Sequence, residues 1–411
     1  MLGWRLGLER MRRLCSLLGM PQNRFSSIHV VGTNGKTSVT LMTAGLLQAH
    51  GVSTGAYISP HISDWRERIR IRGEPISREA FDEAVERAEE SAQAADRAAG
   101  DEGPVTQFEL LTAAAFVAFA EARVPHAVVE AGLGGRLDAT NLIPSRLTVL
   151  TSVGLDHTEY LGDTLEEIAT EKLAVLRDHT KLIVGPLPEE VTPIVEVAAK
   201  RHHVELHRVA AEGPFGFLTQ NLALAEAAVQ ELLGGADLDP RVVSQLQGSI
   251  PGRAQVIQAD PPVVLDAAHN PDGAKALAEI LPKIGPDRWV RRGLRKRPMP
   301  REVVCCLAVL DDKDAAGIVS ALAPAVSRFI CTEVAPEQIE GSGRPGGKSL
   351  PAERLAEIAR RQGVEADAIS GPNQAWTRAR ELAKERGAVA LAAGSHYLLA
   401  SIWTERPDRS F

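Results

Sequence analysis

The chain is 411 residues long, carries a formal net charge of -7 and is 44% hydrophobic. This length exceeds what one hydrophobic core usually organises, so we expect two domains. The acidic balance argues against a general nucleic-acid binder, which depends on neutralising phosphates. The longest apolar runs are too short or too interrupted by charge to cross a bilayer or to form a signal peptide, which predicts a soluble, cytoplasmic protein. The four cysteines lack metal-binding spacing and are predicted to be reduced, buried thiols.

Short β-branched runs alternate with longer helical patterns along the chain. This alternation predicts an α/β fold with parallel sheets flanked by helices. The predicted strands are 28–31, 127–129, 147–152, 181–184, 263–265, 303–310 and 328–332.

The helical pattern between residues 213 and 248 is followed by a break at Ile250-Pro251-Gly252-Arg253. We predict a domain boundary shortly after this break. The N-terminal domain, 1–258, is expected to be a P-loop NTPase-like parallel sheet domain, and residues 259–411 a smaller Rossmann-like α/β domain. The cationic segment 288–301 is interpreted as a solvated loop.

The first predicted strand leads directly into Gly32-Thr33-Asn34-Gly35-Lys36-Thr37-Ser38, and a helical pattern follows. A glycine-rich turn between a strand and a helix points backbone N–H groups at phosphate oxygens, while Lys36 supplies a charge and Thr37 or Ser38 a hydroxyl. We therefore predict an ATP or GTP site. The spacing is a variant, because Val30 stands where strict Walker A spacing has a glycine. The alternative is an ordinary turn.

The strand at 127–129 is followed by Glu130 and then by three glycines within five residues. Burying a carboxylate at the end of a strand costs free energy of folding unless a cation lies close to it. Mg²⁺ takes hard oxygen ligands and shares them with nucleotide phosphates, so Glu130 is a candidate magnesium ligand, directly or through water. The alternative is a capping or salt-bridged glutamate.

The strand at 147–152 leads into Gly154-Leu155-Asp156-His157. Such a histidine beside an aspartate is more often a structural pair, but in company with Lys36 and Glu130 it becomes a candidate metal or phosphate contact. A capping box at 164–167 begins the next helix, which carries Lys172. From the pattern alone, Lys172 is predicted to be a solvated helix lysine.

The second αβ series opens with Asp266, His269 and Asn270-Pro271 after the strand 263–265. Asn270 can cap a helix whose first residue is Pro271, which leaves Asp266 and His269 on the loop above the sheet. We expect this loop to face the first domain. A purely local capping role for Asp266 carries equal weight.

Together these motifs resemble the folate branch of the Mur ligase family, the dihydrofolate synthases and folylpolyglutamate synthases, over nearly the whole chain. The matching segments are 32–38, 58–61, 67–69, 106–112, 130–141, 156–158, 171–172, Asn221, 251–253, 266–273, 312–314 and 394–395.

The resemblance implies a role for each matching position. The ATP-binding residues are Asn34, Gly35, Lys36, Thr37, Ser38, Asn221, Arg253 and Asp266. The metal ligands are Ser59, Glu130, His157 and Lys172. In the family that lysine is carbamylated and holds a second Mg²⁺, and ATP is clamped between the two domains. The pteroate pocket is lined by Thr106, Gln107, Phe108 and Glu109. The incoming glutamate is expected near His269 and Ser395, and catalytic roles fall to Lys36, Lys172 and His269.

The implied activity is ATP-dependent ligation of L-glutamate to folates, and to dihydropteroate, through an acyl phosphate, with two Mg²⁺ ions and ATP as co-substrate. We expect small-molecule substrates only, no nucleic acid or membrane partner, and a monomer. Two residues depart from the family pattern: Thr37 replaces a glycine, and Arg5 replaces an acid of the pteroate loop. We therefore expect polyglutamylation to exceed dihydropteroate ligation. The alternatives are a cell-wall-type Mur amino-acid ligase and a P-loop NTPase or kinase.

Overall fold

The computed structural model of the chain describes residues 7–97, 103–213, 216–235, 242, 250–259, 262–283, 302–341, 344 and 346–403. Arg5 and the basic segment 288–301, both singled out above, lie outside this part of the chain. The chain divides into an N-terminal unit, mainly Trp4–Glu212 with Leu218–Gln247, and a C-terminal unit, mainly Gly248–Phe411. The second unit therefore begins somewhat before the predicted boundary after residue 258.

The N-terminal unit contains a mixed sheet that is mostly parallel. Its strands are β1 (Ser26–Val31), β2 (Thr54–Tyr57), β3 (Ile69–Ile71), β4 (Glu74–Pro75), β5 (His126–Glu130), β6 (Ser145–Leu150), β7 (Lys181–Val184) and β8 (Glu205–Arg208). Their order in the sheet is β4-β3-β2-β5-β1-β6-β7-β8. Only the β2–β3 and β3–β4 pairs in this described sheet are antiparallel.

The helices of this unit are α1 (Glu9–Leu17), α2 (Lys36–Ala49), α3 (Arg78–Arg97), α4 (Gln107–Glu121), α5 (Thr158–Leu161), α6 (Leu165–Leu173), α7 (Thr192–Arg201) and α8 (Phe217–Leu233). One core contains α1, α3, α4 and the sheet face near β2, and includes Phe25, Tyr57 and Phe116. The apolar sequence of α4 suits this position, since most of its residues are buried.

Strand register brings the residues that follow β1, β5 and β6 together at the carboxyl ends of these central strands. Val30 of β1 is aligned with Glu130 of β5, and Val31 is aligned with Leu150 of β6. The carboxyl ends of three parallel strands therefore lie side by side. Ligands of open α/β sheets bind beyond the carboxyl ends of the strands.

The C-terminal unit has its own mostly parallel sheet, in which β9 pairs with β10 antiparallel. The strands are β9 (Gln255–Ala259), β10 (Pro262–Leu265), β11 (Val303–Leu307), β12 (Arg328–Cys331), β13 (Glu365–Ala368) and β14 (Val389–Ala393), in the order β13-β12-β11-β14-β10-β9. The helices are α9 (Pro271–Ile280), α10 (Ala315–Leu322), α11 (Pro336–Gly341), α12 (Ala352–Arg361), α13 (Pro372–Arg386) and α14 (His396–Ile402). Every residue of β11 is buried, which matches its unbroken apolar sequence.

These observations confirm the α/β class and all seven predicted strands, whose ends differ from the prediction by up to three residues. The strand predicted to reach residue 152 ends at Leu150, and the one predicted to reach residue 310 ends at Leu307. All four cysteines are buried free thiols, as predicted. Within the described residues, no helix combines the length and apolar character needed to cross a bilayer.

Candidate active site

The glycine-rich loop joins β1 to α2, as predicted, and the helix begins at Lys36 itself. Gly35 has φ of 89°, a conformation that costs a residue with a Cβ atom. A Cβ atom added at Gly35 would lie 2.6 Å from Oδ1 of Asn221 on α8. The loop therefore needs glycine here for two reasons, and Asn221 lies against it.

The segment after β6 holds this loop in place. The Asn34 amide donates to Oγ of Ser152 over 2.9 Å, and the Thr151 hydroxyl donates to the Asn34 carbonyl over 2.6 Å. The Thr33 hydroxyl donates to the Gly154 carbonyl over 3.1 Å and accepts from the Gly154 amide over 3.0 Å. Thr151 and Ser152 were predicted to be the end of a strand, but the structure makes them anchors of the loop.

Two lysines meet at one carbonyl oxygen of the loop. Lys36 Nζ donates to the carbonyls of Gly32 and Thr33, each over 3.0 Å, and Lys172 Nζ donates to the same Gly32 carbonyl over 3.0 Å. Lys172 is 3% exposed, so its interpretation as a solvated helix lysine is wrong. Burial, followed by the charge of Lys36, lowers the pKa of Lys172 to about 7, although nearby carboxylates oppose the shift. Its amine is therefore partly uncharged near neutral pH.

Glu130 ends β5 with 1% of its surface exposed. Its carboxylate accepts a hydrogen bond from the Thr37 hydroxyl over 2.9 Å and one from the Ser59 amide over 3.2 Å. The structure thus joins the glycine-rich loop, the carboxylate at the end of β5 and the Ser59 segment directly. Ser38, the other candidate hydroxyl, is buried, and its Oγ atom has no hydrogen-bond partner among the described residues.

His157 follows β6 in a left-handed conformation, with φ of 51°. Its Nε2 atom lies 3.9 Å from Oδ1 of Asp156, and Asp156 acts electrostatically on Lys172. In the described part of the chain, no three His, Cys, Asp or Glu side chains form a complete metal site. The oxygen donors that the described residues bring together are the Glu130 carboxylate and the Thr37 hydroxyl. Such hard oxygen donors suit Mg²⁺.

The predicted pteroate segment begins α4. Thr106 is the N-cap, and Glu109 accepts hydrogen bonds from its amide and hydroxyl, both over 2.8 Å, completing a capping box. The Glu109 carboxylate also binds Arg10, with Nε contacts of 3.0 and 3.1 Å, in a buried ion pair. Phe108 packs against Gly132, where an added Cβ atom would lie 2.4 Å from the ring. Gln107 is exposed.

In the C-terminal unit, Asn270 caps α9 and Pro271 begins it, as predicted. Asp266 is buried, and its carboxylate accepts from the amides of Ala254 and Ala268 over 2.6 and 2.7 Å. Burial raises the pKa of Asp266, whereas Arg253 and the two amide contacts oppose the rise.

A second group of side chains in this unit lies at the start of α14. Ser395 is its N-cap and accepts from the Tyr397 amide over 3.1 Å. The His269 and His396 rings are 5.6 Å apart, and Nε2 of His396 lies 3.4 Å from Nη2 of Arg253. The structure therefore links Arg253 to His396 and His396 to His269, while Asp266 accepts from the backbone before β9 and after β10.

Comparison with known proteins identifies the family. Residues 30–231 match the Mur ligase middle domain, and residues 252–396 match the Mur ligase glutamate ligase domain. The dihydrofolate synthase/folylpolyglutamate synthase of Bacillus subtilis is 33% identical over 314 residues, which cover 68% of this chain and 73% of that protein. The chain belongs to the folate branch of the Mur ligases. The P-loop kinase alternative leaves the match at 252–396 unexplained.

Solved structures of this branch agree over the whole chain. Mycobacterium tuberculosis folylpolyglutamate synthase complexed with ADP and AMPPCP has a TM-score of 0.83 and 30% identity, covering 98% of this chain and 97% of that one. A bifunctional folylpolyglutamate synthase/dihydrofolate synthase with Mn, AMPPNP and L-glutamate bound has a TM-score of 0.75 and 27% identity, covering 97% and 94%. Nucleotide and a divalent metal are therefore bound by members of this family.

Sequence reasoning placed three buried residues, His61, Arg68 and Asp138, within the matching segments but gave them no role of their own. Arg68 Nε donates to Nδ1 of His61 over 3.0 Å, and the guanidinium lies 4.8 Å from the centre of the Trp65 ring. Burial, with a smaller contribution from Arg68, lowers the pKa of His61 to about 4. Asp138 was quoted only within a longer motif, yet it is buried and organises the loop after Glu130. Its Asp-x-Thr spacing, typical of a turn cap, is the signal that could have found it.

Proposed function

We propose that this chain is an ATP-dependent carboxylate–amine ligase that adds L-glutamate to folates through an acyl phosphate. The observation that carries the proposal is the meeting of Lys36 and Lys172 at the Gly32 carbonyl, in the same loop whose Thr37 contacts Glu130. This arrangement supplies backbone amides, positive charge and a buried carboxylate at one strand edge. Those are the components that phosphoryl transfer requires.

The chemistry proceeds in two steps. An oxygen of the folate carboxylate attacks the γ-phosphorus of ATP, the bond to the bridging oxygen breaks, and ADP leaves. The amine of glutamate then attacks the acyl phosphate through a tetrahedral intermediate, losing a proton and expelling inorganic phosphate. In the first step Lys36 offsets charge on the transferring phosphoryl group, and the loop amides fix its line of approach.

Glu130, Ser59 and His157 are proposed to hold Mg²⁺, with Thr37 positioning the carboxylate of Glu130. The bound cation supplies charge neutralisation and orients the phosphates. The buried position of Glu130 and its hydroxyl neighbour support this assignment. The position of His157 on the loop after β6, beside Asp156, supports its inclusion.

Lys172 is proposed to carry a carbamate that holds a second Mg²⁺. Its uncharged amine attacks CO₂, an N–C bond forms and a proton is released to solvent, leaving an anionic oxygen donor in place of a cation. Burial and the lowered pKa of Lys172 support this step, because they increase the uncharged form that reacts. The carbamate would also relieve the repulsion between Lys172 and Lys36.

The remaining assignments follow the family. Asn221, which lies against Gly35, is proposed to contact the nucleotide, as are Arg253 and Asp266. His269 and Ser395 are proposed to receive glutamate. Phe108 and Gln107 are proposed to contact the pteroate, while Thr106 and Glu109 shape that segment through the capping box and the Arg10 ion pair.

The direct test is ADP release measured with tetrahydrofolate and with dihydropteroate, each with and without L-glutamate. We expect release that requires both glutamate and a folate acceptor, with kcat/KM higher for tetrahydrofolate because Arg5 replaces an acid. Glutamate-independent release would favour an NTPase. Competition by UDP-muramoyl compounds would favour a cell-wall ligase.

A further inference from the structure

A histidine lies in β1, the strand that leads into the glycine-rich loop and has β5 and β6 on its two sides. His29 of β1 is fully buried, and its strand neighbours are Ile28, Val30 and Val31. Nε2 of His29 lies 2.9 Å from Oγ1 of Thr140, whereas Nδ1 is a buried atom without a hydrogen-bond partner in the described residues. An unpaired polar atom in a core destabilises the fold. An aliphatic residue would avoid that cost, so the imidazole calls for a functional explanation.

The hydrogen-bond directions follow from the neighbouring groups. The Thr140 hydroxyl has one proton, which it donates to the carboxylate of Asp138. Its lone pair therefore accepts from His29, so Nε2 of His29 carries a proton. Burial, assisted by the charge of Arg177, lowers the pKa of His29 to about 3, which is consistent with the neutral form.

Asp138 carries this contact to the loop that follows Glu130. One carboxylate oxygen accepts from the Leu133 amide over 2.8 Å, and the other accepts from the Thr140 amide over 3.0 Å. The Asp138 amide in turn donates to the Gly135 carbonyl over 3.2 Å. The chain of contacts therefore runs from the nucleotide-loop strand through Thr140 to the glycines directly after Glu130.

We propose that His29 is a positioning residue which, through Thr140 and Asp138, fixes the 131–138 loop and thereby aims the Glu130 carboxylate at its metal. The inference rests on the proposed function, since it assumes that Glu130 binds a cation. The positioning role of His29 differs from a purely structural role in one measurable respect. Replacing His29 with leucine removes an unpaired buried atom, so stability should be retained while metal binding weakens.

The test uses Mn²⁺ as the probe, with its affinity measured by electron paramagnetic resonance in the presence of a non-hydrolysable ATP analogue. We expect His29→Leu to weaken Mn²⁺ binding by roughly five-fold to ten-fold, the equilibrium equivalent of one net hydrogen bond. We expect Thr140→Val to weaken it at least as much, because this change also removes the hydroxyl contact with Asp138. The double variant should bind no more weakly than the worse single variant, because both changes break the same contact. Amide hydrogen exchange at Leu133 should accelerate in both, and the melting temperature of His29→Leu should not fall.

Two control variants separate the explanations. Thr140→Ser keeps the hydroxyl and should bind Mn²⁺ like the parent. Thr43→Val makes the same chemical change at a fully buried threonine of α2 whose hydroxyl has no partner in the described residues, and should leave Mn²⁺ affinity unchanged. If Thr140→Val fails to fold, His29→Leu alone decides the question.

Mn²⁺ affinities within two-fold of the parent in the single variants would overturn the inference, as would equal weakening by Thr43→Val. Glu130→Gln distinguishes this failure from failure of the proposed function. If Glu130→Gln binds Mn²⁺ weakly while the His29 and Thr140 variants bind normally, only the positioning role is wrong. If Glu130→Gln itself binds normally, the metal assignment is wrong.

Discussion

Carbamylation of Lys172 should make activity depend on CO₂ and on pH. At the ordinary lysine pKa, only about one amine in a thousand is uncharged at pH 7.5. With the pKa of Lys172 lowered to about 7, roughly three quarters are uncharged, a gain in reactive amine of several hundred-fold. This fraction falls as the pH drops through 7, so CO₂ uptake and activity should decline on the acidic side.

The stability of the unmodified enzyme gives an independent check of the same pKa. Between pH 7 and the ordinary lysine pKa, the unfolded chain binds a proton at Lys172 and the folded chain does not. The free energy of unfolding contributed by this site should therefore rise with pH across that window and should be flat below it.

The assay follows enzyme labelled with ¹³C-bicarbonate by NMR, alongside turnover in CO₂-depleted buffer at pH 6.5 and 8. We expect a carbamate resonance that is absent from Lys172→Arg, near-complete loss of activity in that variant, and recovery of the depleted parent when bicarbonate is restored. Lys200→Arg, at an exposed lysine of α7, is the matched control and should retain activity. An active Lys172→Arg variant without a carbamate resonance in the parent would refute the reasoning.

Three further predictions concern the loop and the cation. Lys36→Ala should lower kcat at least 100-fold with the fold retained, because Lys36 acts on developing phosphoryl charge; turnover within a few-fold of the parent would contradict this. Glu130→Gln should raise the Mg²⁺ concentration for half-maximal activity about ten-fold or more, and an unchanged titration curve would return Glu130 to a structural role. Gly35→Ala and Gly51→Ala share positive φ, at a cost of about 1–2 kcal/mol each, but only the first meets a side chain, Asn221. ATP KM should therefore change in Gly35→Ala alone, and equal effects would contradict the clash.

The sequence predicts the strands that have β-branched, apolar cores, among them β1, β5, β6 and β10, which lead into the glycine-rich loop, Glu130, His157 and Asp266. Strand β14 was not predicted because Val389–Ala393 is mostly alanine, which favours helix unless burial in the tertiary structure overrides that preference. Strand β8 was not predicted because its side chains are polar or partly exposed at the edge of the sheet. In both strands the packing partners are distant in sequence. Five further strands, β2, β3, β4, β9 and β13, were also not predicted.

The site shows the same division between local and distant information. The loop and the capping residues Thr164 and Asn270 are encoded within a few residues, and their structures are as predicted. Lys172 was misjudged because its burial depends on Gly32, 140 positions away. The role of Thr37 was left open, since its contact with Glu130 depends on the register of β1 and β5.

The most direct test of the central claim is to follow ¹⁸O from a labelled folate carboxylate during turnover with ATP and L-glutamate. The acyl-phosphate route predicts that the inorganic phosphate released carries ¹⁸O from the carboxylate, in step with formation of the glutamylated folate. Unlabelled phosphate, or phosphate released at the same rate without glutamate, would contradict the account.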